Sequence, residues 1–89
     1  MRHACLCCGY LTIGEEPPGT FEICPVCDWE DEYLDLTHPD GINQPTGGPN
    51  AMLSLREARE NFARFEAASP EWRDRVRSPR ESEQPRTLW

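Results

Sequence analysis

Apolar and polar positions follow two different periods along this chain, and the change from one to the other divides it. In the first part the pattern is short and strand-like. Gly9-Tyr10-Leu11-Thr12-Ile13 is rich in aromatic and β-branched residues, and Thr20-Phe21-Glu22-Ile23 alternates polar with apolar. Between them, Gly14 to Gly19 is a turn containing Pro17 and Pro18. The pattern predicts a hairpin of these two segments whose ends both run into paired cysteines. Trp29 to Leu36 mixes aromatics with acids and suits a strand or a helical turn equally. Residues 37–53 hold Pro39, Asp40-Gly41, Pro45, Gly47-Gly48 and Pro49, turn chemistry throughout. A loop that long is either a binding loop or a tether.

From Ser54 the period becomes helical. Ser54 and Glu57 form a capping box, in which each side chain satisfies an orphan amide of the first turn. Leu55, Ala58, Phe62 and Phe65 then share one face, which predicts a helix over 54–68. Ser69-Pro70-Glu71 restarts a short second helix over 69–77, with Trp72 and Val76 one turn apart. The helix face of Leu55, Phe62 and Phe65 is expected to pack on Tyr10, Ile13, Phe21 and Trp29, with Trp72 added from the second helix. Residues 78–89 are mostly prolines, charges and small side chains, so a disordered tail is expected there. Leu88 and Trp89 are an apolar pair with no assigned partner.

Composition bounds what such a pattern can build. With 89 residues, 37% of them hydrophobic and 28% charged, the chain is one small domain, residues 1–68, followed by the short helix and the tail. The net charge is −7, unevenly placed: residues 1–50 carry one Arg and nine acids, for −8, and residues 51–89 carry eight Arg and seven acids, for +1. That field would repel phosphate, so no nucleic-acid partner is expected. Without a signal-peptide pattern or a long apolar run, the expectation is a cytoplasmic protein with no membrane partner.

Five cysteines are the informative anomaly. Cys5-Leu6-Cys7-Cys8 and Cys24-Pro25-Val26-Cys27 each present a CxxC pair. Two residues between thiolates let the backbone fold into a tight knuckle, and two facing knuckles complete a tetrahedron around Zn²⁺. Gly9 follows the first pair, where a knuckle favours a left-handed residue, and Asp28 follows the second as a poorer choice. In a reducing compartment such pairs bind metal more often than they form disulfides. A structural zinc contributes on the order of 10–16 kcal/mol, against about 2–5 for a disulfide, and a scaffold this small needs the larger contribution. The expected ligands are Cys5, Cys8, Cys24 and Cys27, with Fe as the alternative ion. Cys7 is read as a small side chain in its knuckle, flanking the metal with Val26 on the open side, and His3 and His38 as surface residues.

CxxCGY, then an acidic proline-containing turn, then CPxC resembles the rubredoxin-like knuckles of the rubrerythrin type. The fuller pattern, through Cys27-Asp28-Trp29-Glu30-Asp31 and on to Ser54-Leu55-Arg56-Glu57-Ala58-Arg59-Glu60-Asn61-Phe62, resembles the bacterial cysteine-rich CPCC-domain family over roughly residues 5–67. Leu6 stands where that family's signature has proline, which leaves the first knuckle less stiffened but removes no ligand. The resemblance implies a small α+β fold, a rubredoxin-like or zinc-ribbon hairpin with an appended C-terminal helix. It implies no established activity.

Three functions are weighed on this basis. A structural zinc module would present Glu15, Glu16, Glu22, Asp28, Glu30, Asp31 and Glu32 to a basic protein partner. An iron ion in the same cage would transfer electrons. Catalysis is not expected, because four cysteines close the open coordination position that a catalytic zinc keeps. Asp35, His38 and Asp40 are read as capping and solvated turn residues.

Overall fold

Each cysteine knuckle reverses the chain, and that local event organises the N-terminal half of the computed structural model, which describes residues 2–45 and 48–89. Strand β1, His3–Ala4, enters the first knuckle and β2, Leu11–Ile13, leaves it. They pair antiparallel, His3 opposite Ile13 and Ala4 opposite Leu11, with an irregularity between. The second knuckle is framed the same way, by an antiparallel bridge between Ile23 and Glu30. The hairpin therefore differs from the one read in the sequence. Leu11–Ile13 pairs with the segment before its own knuckle and not with Thr20–Ile23. Within the knuckle, Cys5 N–H donates to Tyr10 O and Gly9 N–H to Cys5 O, and these bonds bring His3–Ala4 back beside Leu11–Ile13. Across that turn, contact is made instead by Glu22, whose carboxylate accepts from the amides of Gly14 (3.0 Å) and Glu15 (3.3 Å).

Helix α1, Leu55–Phe65, begins as its signals require: Glu57 N–H donates to Ser54 Oγ at 3.0 Å, and Ser54 N–H donates to the Glu57 carboxylate at 3.1 Å. It stops at Phe65, three residues short of Ala68, because Glu66 turns left-handed at φ 62°. That turn frees the Ala68 amide, which donates to Cys27 O at 2.8 Å. A 3₁₀ helix, Pro70–Arg75, follows, capped by Ser69 and carrying the buried Trp72.

The core joins the two halves. Ile13, Val26, Trp29 and Leu34 pack with Leu55, Ala58, Phe62 and Trp72, and Tyr10 meets the Phe62 ring edge-on at 6.3 Å. Two expected members depart. Phe65 is only half-buried, under the Arg64 guanidinium at 5.2 Å, and Phe21 is exposed. No helix among the described residues is long and apolar enough to cross a membrane.

The loop at 37–53 runs through successive turns, with positions 46 and 47 outside the described residues. It is tied down by Asn50, completely buried, which bonds both main-chain groups of Glu30 and the Glu32 carboxylate. Asp31 and Glu32 are buried as well, which removes two members from the expected acidic surface.

Residues 78–89 do not behave as a solvated tail. Glu83 is buried and accepts from Arg77 through both guanidinium nitrogens, at 2.8 and 2.7 Å, and from the Arg80 amide at 2.7 Å. Beyond a 3₁₀ turn at Glu81–Glu83, Thr87 N–H donates to Gly9 O at 2.8 Å. A Cβ on Gly9 would lie 1.8 Å from Thr87 O, so glycine is required there by packing as well as by its φ of 84°. Charge and hydrogen bonding, more than apolar area, place this segment against the rest of the chain.

The Arg77 side chain holds the Glu83 carboxyl down at about 2, from an ordinary 4.5. A depressed carboxyl stabilises the fold above its unfolded value and loses that contribution as pH falls. Glu83→Gln should therefore destabilise the protein at neutral pH by on the order of 2 kcal/mol. The gap from the native protein should close between about pH 4.5 and pH 2. Urea melts across that range check it; equal stabilities at neutral pH would show that the ion pair does not anchor the segment.

Candidate metal centre

The two knuckles are built alike, residue for residue. Cys5 N–H donates to Tyr10 O and Gly9 N–H to Cys5 O, at 2.9 and 2.8 Å; Cys24 N–H donates to Trp29 O and Asp28 N–H to Cys24 O, at the same lengths. Gly9 and Asp28 hold the matching left-handed positions, at φ 84° and 67°. The aspartate accepts the strain that glycine avoids.

This repetition brings four sulfurs together. Cys5, Cys8, Cys24 and Cys27 are all buried, unpaired by disulfides, and place their Sγ atoms within 4.8 Å of one another. Cys5 and Cys27 are 3.6 Å apart, and Cys8 and Cys24 3.7 Å. Metal–sulfur bonds of about 2.3 Å directed to tetrahedral corners would set sulfurs about 3.8 Å apart. The four cysteines are thus positioned to bind a metal ion.

Their electrostatics are those of a site built for a cation. Hydrogen bonds from Cys27, Cys5 and Cys8, with a further one from Thr12, pull the Cys24 thiol far below its ordinary range. Cys5 and Cys8 are pushed up, chiefly by their bonds to Cys24, and Cys27 is pushed up first by burial. Burial and mutual proximity oppose ionising all four thiols together, and a bound metal ion is what would let them ionise.

Surrounding groups support the cluster. Thr12 Oγ1 lies 3.0 Å from Cys24 Sγ, where a hydroxyl donates to a thiolate. Further contacts come from the C-terminal half and fall on knuckle carbonyls. Arg59 Nε donates to Leu6 O at 2.7 Å and Arg77 N–H to Pro25 O at 3.1 Å, the equivalent position. Arg86 Nε donates to Cys8 O at 2.8 Å and Ala68 N–H to Cys27 O at 2.8 Å, again equivalents. Trp89 Nε1 donates to Cys5 O at 3.1 Å while its ring lies under the Arg59 guanidinium, 4.6 Å from the centroid. Burial lowers the Arg59 pKa and the charges of Cys7 and Cys5 oppose that.

Cys7 and Val26 do occupy equivalent places, but not on an open side: both are buried in the core under these caps. Cys7 lies outside the four-sulfur cluster. His3 is half-buried in β1, and His38 is exposed with its Nδ1 accepting the Asp40 amide at 3.0 Å. Asp35 accepts from the Thr37 amide at 3.0 Å and from its hydroxyl, so the Asp35, His38 and Asp40 group is a turn that satisfies itself. Thr12, Arg59, Arg86, Trp89 and Asn50 were missed by sequence reasoning; the eight Arg gathered in the C-terminal half were the available signal.

Residues 3–83 match the family model described as Cysteine-rich CPCC. No curated protein and no solved structure gives a significant match.

Replacing Thr12 with Val keeps the shape of the side chain and removes its hydroxyl. Affinity for Zn²⁺, read by competition with a chromophoric chelator, should fall about 10- to 100-fold, as for other groups that orient ligands. Cys24→Ser, which removes one of the four clustered sulfurs, should abolish stoichiometric binding and largely unfold the N-terminal half; a far-UV spectrum and thermal midpoint equal to the native protein's would refute this.

Proposed function

The chain belongs to the cysteine-rich CPCC family, and from that membership and its four converging thiols we propose that it is a structural zinc protein whose metal-held N-terminal half engages a basic partner protein. The sulfur spacing carries this reading. Cys5, Cys8, Cys24 and Cys27 would hold the ion as a closed pair of rubredoxin-like or zinc-ribbon knuckles, and the ion would supply the cohesion that a small, polar chain lacks. Four thiolates leave no coordination position for substrate, so the reading is of a non-catalytic module.

Its partner is inferred from charge. The first fifty residues carry −8, and Glu15, Glu16, Asp35 and Asp40 are exposed on them. Most of the arginines lie in the C-terminal half, where Arg59 and Arg86 face the metal knuckle. Such a division favours encounter with a positively charged protein and disfavours nucleic acid and anionic membrane.

Protein purified aerobically from iron-replete cells should be colourless, and native mass spectrometry should show a single zinc per chain. Removing it with a chelator should abolish the cooperative thermal transition. Visible absorption with stoichiometric iron would replace the structural reading with an electron-transfer one; apoprotein that melts cooperatively would remove the metal from the account of stability.

A further inference from the structure

One edge of the second knuckle's hairpin is closed and the other is open. Cys24 N–H donates to Trp29 O and Asp31 N–H to Glu22 O, at 2.9 and 2.8 Å. Those bonds make Ile23 and Glu30 a non-hydrogen-bonded antiparallel pair, whose own N–H and C=O groups point outward. On the Glu30 side both groups are met by a single carboxamide. Asn50 Oδ1 accepts from Glu30 N–H and Asn50 Nδ2 donates to Glu30 O, each at 2.9 Å, so a side chain stands where a third strand would. On the Ile23 side no group among the described residues does the same.

Three apolar side chains in this hairpin or just beyond it are held in water. Phe21 is 63% exposed, Ile23 58% and Tyr33 70%. Phe21 is not merely left out of the core. Its φ of 60° is left-handed, a conformation that an aromatic residue rarely adopts and that strains its backbone. The conformation is imposed from within: the buried Asp31 carboxylate accepts from Thr20 N–H and Thr20 Oγ1, at 3.0 and 2.7 Å, while Phe21 N–H donates to Asp31 O at 2.8 Å. A strained backbone, fixed by a buried carboxylate, thus presents a ring to solvent beside an unpaired edge. Glu22 and Glu30 flank it in sequence and register.

We propose that this edge receives a basic, extended segment of the partner protein, added as a strand. Its main-chain groups pair with Ile23, its alternate apolar side chains cover Phe21, Ile23 and Tyr33, and its Arg or Lys side chains meet Glu22, Glu30 and the surrounding negative field. One free N–H and C=O pair sets the register, and the three exposed side chains supply the buried area. This rests on the reading of a basic partner, and adds to it the site and the mode of docking.

The probe is a synthetic peptide alternating Arg with Val, titrated into the zinc-loaded protein while nitrogen–proton correlation spectra are recorded. The expected result is salt-sensitive binding with shifts centred on Phe21, Ile23 and Tyr33. Methylating the peptide's alternate main-chain nitrogens should weaken it at least about tenfold, because strand pairing needs those donors. Ile23→Arg, a change at an exposed position, should weaken it similarly with the zinc content unchanged. Binding that is salt-sensitive but maps elsewhere, or is indifferent to methylation, would overturn strand addition and leave the basic partner standing. No binding even at low salt would overturn both. Concentration-dependent dimerisation that Ile23→Arg abolishes would assign the edge to a second copy and overturn the proposal.

Discussion

Convergence of four buried sulfurs is the constraint from which the rest of this structure follows. Each knuckle is a tight turn that points its sulfurs inward and, by the same geometry, its carbonyls outward. Those carbonyls sit beside a cluster positioned to bind a metal ion, whose thiols would carry negative charge on ionising. They need donors, and positively charged donors serve both requirements together. Leu6, Cys8, Pro25 and Cys27 each receive a bond from the chain beyond residue 54. The C-terminal half is thus a cover for the knuckles, held on by hydrogen bonds and the core that Phe62, Leu55 and Trp72 supply.

Two arginines of the C-terminal half serve that relation through their side chains. Arg59 and Arg86 act at once as donors to the first knuckle and as lids on aromatic rings: Trp89 under Arg59, Tyr10 and Phe62 under Arg86 at 5.4 and 5.2 Å. Arginine suits these roles better than lysine, because its planar guanidinium can donate in one direction and stack in another. Glu15, Glu16, Asp35 and Asp40 of the first half are left exposed to solvent.

Buried polar groups divide the second hairpin into a finished side and an unfinished one. Asn50 closes one edge from inside a loop that has no regular structure, which gives that loop a definite task within the fold. Asp31 fixes the opposite corner and turns Phe21 outward. A hydrophobic pattern read along the strand assigns Phe21 to the core, since alternation with Thr20 and Glu22 demands it. The left-handed turn at that residue breaks the alternation, and nothing in its side chain announces the turn.

What the amino-acid order determined by itself was everything carried by local geometry. CxxC spacing specifies a knuckle, Gly9 its left-handed exit, Ser54 and Glu57 the start of α1, and Ser69-Pro70 the start of the 3₁₀ helix. These are short-range interactions whose partners lie within a few residues, so the sequence displays both halves of each. Tertiary structure decided where the partners are far apart: that Arg59, Arg86 and Trp89 reach back to the first knuckle, that Asn50 stands in for a strand, and that Glu83 orders the final segment through Arg77. A charged or amide side chain has many potential partners of similar energy, and only the packed chain, by excluding water from most of them, selects one.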